Sequence, residues 1–151
     1  MNFAVPLEVK TVADGLRKGG FDAYLVGGCV RDLFLGRKPK DWDVTTNATP
    51  EDIQKIFPES FYENEFGTVG IKTGSEDPAL AIVEATPYRT ESGYSDKRRP
   101  DSVLFGQSLE DDLARRDFTI NAIAYDDAKG QIVDPYKGQK DIEARVLRTV
   151  R

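Results

Sequence analysis

LVGGCVRDLFLGRKPKDWDVTT (residues 25–46) packs a double glycine, an Arg-Asp pair and an Asp-Trp-Asp step into one short stretch. The run that leads into it, DAYLV (22–26), reads as a short buried strand, and Gly27-Gly28 as a tight turn. CVRDLFL (29–35) then places Val30, Leu33 and Phe34 on one helical face, and Gly36 ends the helix. DWDVTT (41–46) alternates and is rich in β-formers. Residues two apart share a face of a strand, so Asp41 and Asp43 point one way while Trp42 and Val44 point the other. The tryptophan anchors the strand and the carboxylates are offered on its far side. Two close carboxylates repel unless a cation lies between them, and hard oxygen ligands select Mg²⁺ or Mn²⁺. A half-buried strand with its polar face in water shows the same alternation, so the triplet alone leaves both readings open.

The neighbouring residues add chemistry. Glycines let a phosphate approach the backbone closely, and the free N–H groups of a helix start suit an anion, although a plain tight turn needs the same two residues. Downstream, AIVEATPY (81–88) sets Glu84 in a strand of apolar and small residues, where a carboxylate is either exposed on an edge or part of a charged site. A glycine turn, two carboxylates on one strand and a third on a later strand suit two-metal phosphoryl transfer, with ions about 3.5–4 Å apart.

Composition narrows the alternatives. At 151 residues one domain, 1–151, is expected, with no repeat or linker inside it. With 31% charged residues and no apolar run near the roughly 18 residues of a membrane span, no membrane partner is expected. The single cysteine, Cys29, excludes an internal disulfide and fits a reducing, cytoplasmic setting, as does the lack of a signal-peptide pattern at the start. The absence of histidine excludes Ser-His triads, His-ligated metals and histidine general bases. Catalysis must rest on carboxylates, Lys, Arg or a hard metal ion. The net charge of −5 means that a polyanion is met locally, at GRKPK (36–40), DKRRP (96–100) or ARRD (114–117).

Along the rest of the chain, the spacing of Val9, Val12, Ala13 and Leu16 predicts a helix over 6–18. Thr49 and Pro50 predict a helix start. FGTVGIKTG (66–74) and ALAIVEATPY (79–88) read as two strands of a hairpin. Residues 89–100 read as a mobile loop, Ser108 as the cap of a helix, and 117–123 as a second short helix, with Asp117 as its N-cap on a purely structural reading. A short strand in QIVD (131–134), a helix from about Lys140 and an extended end follow.

Three segments, YLVGGCVRDLFLGRKPKDWDVTT (24–46), RTESGYSDKRRPDSVLF (89–105) and SLEDDLARRDFTINAIAYD (108–126), occur in an order that resembles the head domain of class II tRNA nucleotidyltransferases (CCA-adding enzymes) and bacterial poly(A) polymerases. Both belong to the DNA polymerase β-like superfamily. The resemblance runs from about Ala23 to Val150. It implies an α+β nucleotidyltransferase head fold: a mixed, mostly antiparallel sheet of about five strands packed with helices, with the site on a sheet edge. It also implies roles. Gly27, Gly28 and Arg31 would hold the triphosphate; Asp41 and Asp43 would bind catalytic Mg²⁺, or Mn²⁺; Glu84 would be the third catalytic carboxylate. Arg116 and Asp117 would recognise the ribose, supported by Arg115 and Asn121, and 89–100 would be the flexible loop used during nucleotide addition. The implied reaction is transfer of CMP or AMP from CTP or ATP to the 3′-hydroxyl of tRNA, with pyrophosphate release. Poly(A) polymerase is the alternative. The family's neck, body and tail, which select the base and grip the tRNA, have no counterpart in these residues. The chain is therefore expected to be a piece of a longer protein, or the nucleotide-binding half of a split enzyme completed by a neck-body polypeptide, and inactive alone.

Overall fold

The computed structural model describes residues 2–88 and 108–151. The segment expected to be a mobile loop, 89–100, lies outside them. In chain order the elements are α1 (Leu7–Lys18), β1 (Tyr24–Val26), α2 (Gly28–Phe34), β2 (Asp43–Thr46), α3 (Pro50–Ile56), β3 (Ser60–Tyr62), β4 (Val69–Lys72), β5 (Ile82–Pro87), α4 (Leu109–Ala114), a 3-10 turn (Thr119–Asn121), β6 (Ala124–Asp126), β7 (Gln131–Val133) and α5 (Gly138–Ala144).

The strands form one sheet in the order β3-β4-β5-β2-β1-β6-β7. The β2–β5 pair is parallel and the other pairs are antiparallel, which is the mixed, mostly antiparallel α+β architecture expected. Both faces of the centre are covered. Leu25, Val44, Val83 and Tyr125 join α1 and α3 in one apolar cluster, whereas Val26 and Ala124 join Leu109 and Leu113 of α4 in another. Each large apolar side chain buried in this way contributes about 1.5–3 kcal/mol relative to exposure. α1 buries Val9, Val12, Ala13 and Leu16. In α3, Thr49 and Asp52 close a capping box ahead of Pro50.

Three expectations are corrected. The sheet has seven strands rather than about five. The additional ones, β3 and β6, are three residues each and carry no clear alternation. The site is not on a sheet edge: β2, which carries Asp43, is the fourth of the seven strands. Residues 117–123 form only a single 3-10 turn, with Phe118 rather than Asp117 at its N-cap.

Candidate active site

The site is assembled where β1 turns into α2. Gly27 holds φ 82° and ψ −144°, a conformation that side chains avoid. A Cβ here would come into ordinary contact with Arg116 Nη1 at 3.4 Å and Asp43 Oδ2 at 4.0 Å, so it is the backbone conformation, not space, that calls for glycine. The bare backbone thus lets the turn, the arginine and the carboxylate meet. One turn into α2, Arg31 donates from Nη1 to Asn121 Oδ1 (3.0 Å) and from Nε and Nη2 to Asp32 Oδ1 (3.2 Å each). Its guanidinium passes beside Gly28, where a Cβ would meet Nη2 at 3.2 Å.

β2 begins at Asp43, so Asp41 lies in the bend before the strand, exposed, with Trp42 buried between the two carboxylates. The parallel register sets Asp43 opposite Glu84, and the next pairings set Glu84 opposite Gly70 and Gly70 opposite Phe61. This row runs across four strands on one face. Glu63, two residues beyond Phe61, continues that face and hydrogen-bonds to Glu84. Sequence reasoning missed Glu63. Its signal is the i, i+2 spacing from a strand residue, which is invisible until β3 is known to exist.

The four carboxylates act on one another. Burial pushes Asp43 up to about 6, against the opposing pull of Arg116 and with the help of Asp41 and Glu63. The hydrogen bond with Glu63, followed by burial and the charges of Asp43, Glu63 and Asp41, pushes Glu84 up to about 8.

On the opposite side, α4 carries a second residue that the sequence reading did not single out. Asp112, fully buried, accepts from Arg115 Nε (3.2 Å) and Arg116 Nη2 (2.9 Å). The i+3 and i+4 spacing was the available signal. One carboxylate therefore fixes both guanidiniums. Arg116 Nε is buried without a partner among the described residues, a donor left for something to accept from. Asp117 is exposed and accepts from Phe118 N (2.6 Å) and Asn121 Nδ2 (3.2 Å). Burial opposes its charge, but those hydrogen bonds and nearby Arg116 outweigh it and hold the carboxyl below its ordinary value.

All ten residues singled out in the sequence thus lie around one locality, although Arg115 turns toward Asp112. Beside the carboxylates opens a cavity of about 390 Å³, with Arg31, Asp41 and Asp43 among its lining residues. Among the described residues no group of three or more carboxylates is arranged to enclose an ion. The donor chemistry nonetheless fits Mg²⁺, which takes one or two carboxylates and completes its shell with phosphates and water. Burial and, to a lesser extent, neighbouring negative charge raise Asp43, and the Glu63 hydrogen bond followed by the same two causes raises Glu84; a cation between them would offset the burial and the charge.

The fold is shared with known proteins. The CCA-adding enzyme of Geobacillus stearothermophilus is 44% identical over 149 residues, covering 95% of this chain and 34% of the relative. That of Lactobacillus helveticus is 46% identical over 145 residues, covering 95% and 35%. The crystal structure of the Bacillus stearothermophilus CCA-adding enzyme in complex with CTP superposes with a TM-score of 0.81 at 39% identity, over 97% of this chain and 34% of that one. A tRNA nucleotidyltransferase complexed with a primer tRNA and an incoming ATP analog gives 0.69 at 29% identity, over 93% and 39%. The chain spans about a third of the length of the relatives it matches. The family described as the Poly A polymerase head domain matches residues 23–148, and the chain belongs to that family.

Proposed function

We propose that this chain is the catalytic head of a template-independent RNA nucleotidyltransferase of the CCA-adding type, acting on tRNA in the cytoplasm. The observation that carries the reading is the convergence at Gly27: a backbone stripped of side chains faces Arg116 on one side and Asp43, paired with Glu84, on the other. Triphosphate and carboxylates are thereby brought to a common point. In the reaction the 3′-hydroxyl oxygen of the acceptor bonds to the α-phosphorus of CTP or ATP, the bond to the bridging oxygen breaks, and pyrophosphate leaves with that electron pair.

Gly27 and Gly28 admit the phosphates to the backbone. Arg31, oriented by Asp32 and Asn121, presents its guanidinium to them. Asp117, held ionised, accepts from a ribose hydroxyl, and Arg116, clamped by Asp112, offers Nε beside it. Asp41 and Asp43 would hold divalent cations, Mg²⁺ with Mn²⁺ as a substitute, which when bound lower the pKa of the attacking hydroxyl and neutralise the developing charge. Glu84, set opposite Asp43 and raised to about 8, would complete the carboxylate set once a cation is bound beside it.

Base choice and most tRNA contacts are assigned to a neck-body polypeptide, joined in the same chain or supplied as a partner. Poly(A) polymerase is the second reading, favoured by the description of the matching family. The test is incubation with tRNA lacking its CCA end, Mg²⁺ and labelled CTP or ATP, with and without a polypeptide supplying the remaining two thirds of a relative. Incorporation of C and A in the mixture supports the reading, incorporation of A alone on any RNA 3′ end supports poly(A) synthesis, and no incorporation in the mixture contradicts both. In thermal shifts the chain by itself should respond to ATP, CTP, GTP and UTP alike.

A further inference from the structure

The cavity beside the carboxylate pair has a basic wall that the mechanism above does not use. GRKPK (36–40) carries the chain from α2 back to β2, and its burial is patterned: Lys38 and Lys40 are exposed around buried Pro39, and Asp41 is exposed before buried Trp42. Pro39 and Trp42 line a separate apolar pocket with Leu33 and Leu80. Arg37 N donates to Asp32 O at 2.8 Å, tying the start of the segment to α2. The apolar anchors therefore leave Arg37, Lys40 and Asp41 on the cavity side, with Lys38 on the border between the two pockets. Arg37, Lys38 and Lys40 line the same cavity as Arg31, Asp41 and Asp43.

The charges in this cavity do not cancel in pairs. Asp32 is engaged by Arg31 at 3.2 Å, whereas Arg37, Lys38, Lys40, Asp41 and Asp43 take part in no salt bridge among the described residues. Three cations facing two carboxylates across one cavity suit a ligand that brings both signs, as a polyphosphate with its divalent cation does. Lysine suits the polyphosphate end, because its ammonium is a point charge on a flexible stem and follows a phosphate that moves as it leaves.

Building on the nucleotide-binding reading, we infer that Arg37, Lys38 and Lys40 hold the β- and γ-phosphates of the incoming nucleoside triphosphate, and the pyrophosphate after transfer. The segment between α2 and β2 thereby selects triphosphates and governs product release. Calorimetric titration of the full chain with Mg²⁺ and, in turn, ATP, pyrophosphate and a short single-stranded RNA tests this, comparing the wild type with the triple variant Arg37→Ala, Lys38→Ala, Lys40→Ala. All three positions are exposed, so the thermal midpoint should be unchanged. The expected result is a loss of about tenfold or more for ATP and pyrophosphate, with RNA affinity retained and with near wild-type binding in the Lys38→Arg, Lys40→Arg variant. Equal affinity of both proteins for ATP and pyrophosphate would overturn the inference, as would a loss confined to RNA, which would assign the segment to the acceptor strand. Failure of the wild type to bind ATP or pyrophosphate would overturn the nucleotide reading itself and the inference with it. Should the triple variant melt early, Lys38→Ala and Lys40→Ala singly are expected to show a smaller loss of the same pattern, and no loss in either would overturn it.

Discussion

Gly27 is the residue on which backbone geometry and chemistry both depend. Its positive φ disfavours any side chain, and the turn lies 3.4 Å from Arg116 Nη1, measured from where a Cβ would stand. Gly27→Ala is expected to cost about 1–3 kcal/mol in urea unfolding and to weaken nucleotide binding more than that loss accounts for, since its methyl would stand where a phosphate approaches the bare backbone. At the same scale, the raised values of Asp43 and Glu84 have a consequence for stability. Below the unfolded carboxylate range both groups are protonated in either state and exact no penalty. As pH rises to about 6 for Asp43 and about 8 for Glu84, the folded protein retains protons that the unfolded chain has released, so these groups make stability fall. Without metal, the melting temperature should decline from pH 5 to pH 8.5. Glu84→Gln should flatten that decline, and Mg²⁺ should restore stability most at the alkaline end. Cys29, pushed up to about 12 by burial, takes no part in this window.

At the scale of elements, α4 acts as a bracket. Asp112 is fully buried beneath Arg115 and Arg116, so removing it takes the ion-pair partner from the largely buried Arg116 guanidinium and one carboxylate contact from Arg115. Asp112→Ala should destabilise the fold by about 3–5 kcal/mol, read from chemical denaturation. Elements with strong local signals were legible before the structure: the period of α1, the Thr49-Pro50 start of α3 and the alternation about Trp42. Local signals were insufficient for β3 and β6, which exist because neighbouring strands offer them a ladder, and for 117–123, where the pairing of Phe118 with Thr149 keeps Phe118 extended and delays the turn to Thr119.

Across the whole molecule, the seven-stranded sheet brings together residues far apart in the chain. Asp41 and Asp43 were readable as a pair because their spacing is local, and Gly27, Arg31 and Arg116 because they lie in long recognisable segments. Glu63 was not, since it reaches Glu84 only through the β3–β4–β5 pairings, which are long-range. The parallel β2–β5 register was equally hidden, and it is what sets Asp43 opposite Glu84. No helix among the described residues is long and apolar enough to cross a membrane.

The central claim is that Asp41 and Asp43 join a nucleoside triphosphate to this fold through a divalent cation. Titration of ATP into the wild type and into Asp43→Asn, each with Mg²⁺ and with excess chelator, tests it most directly. The account predicts Mg²⁺-dependent binding by the wild type and its loss in Asp43→Asn, with the variant's thermal midpoint in chelator equal to or above that of the wild type because a repelling carboxylate is gone. Equal ATP binding by the two proteins, or wild-type binding indifferent to chelator, would contradict it.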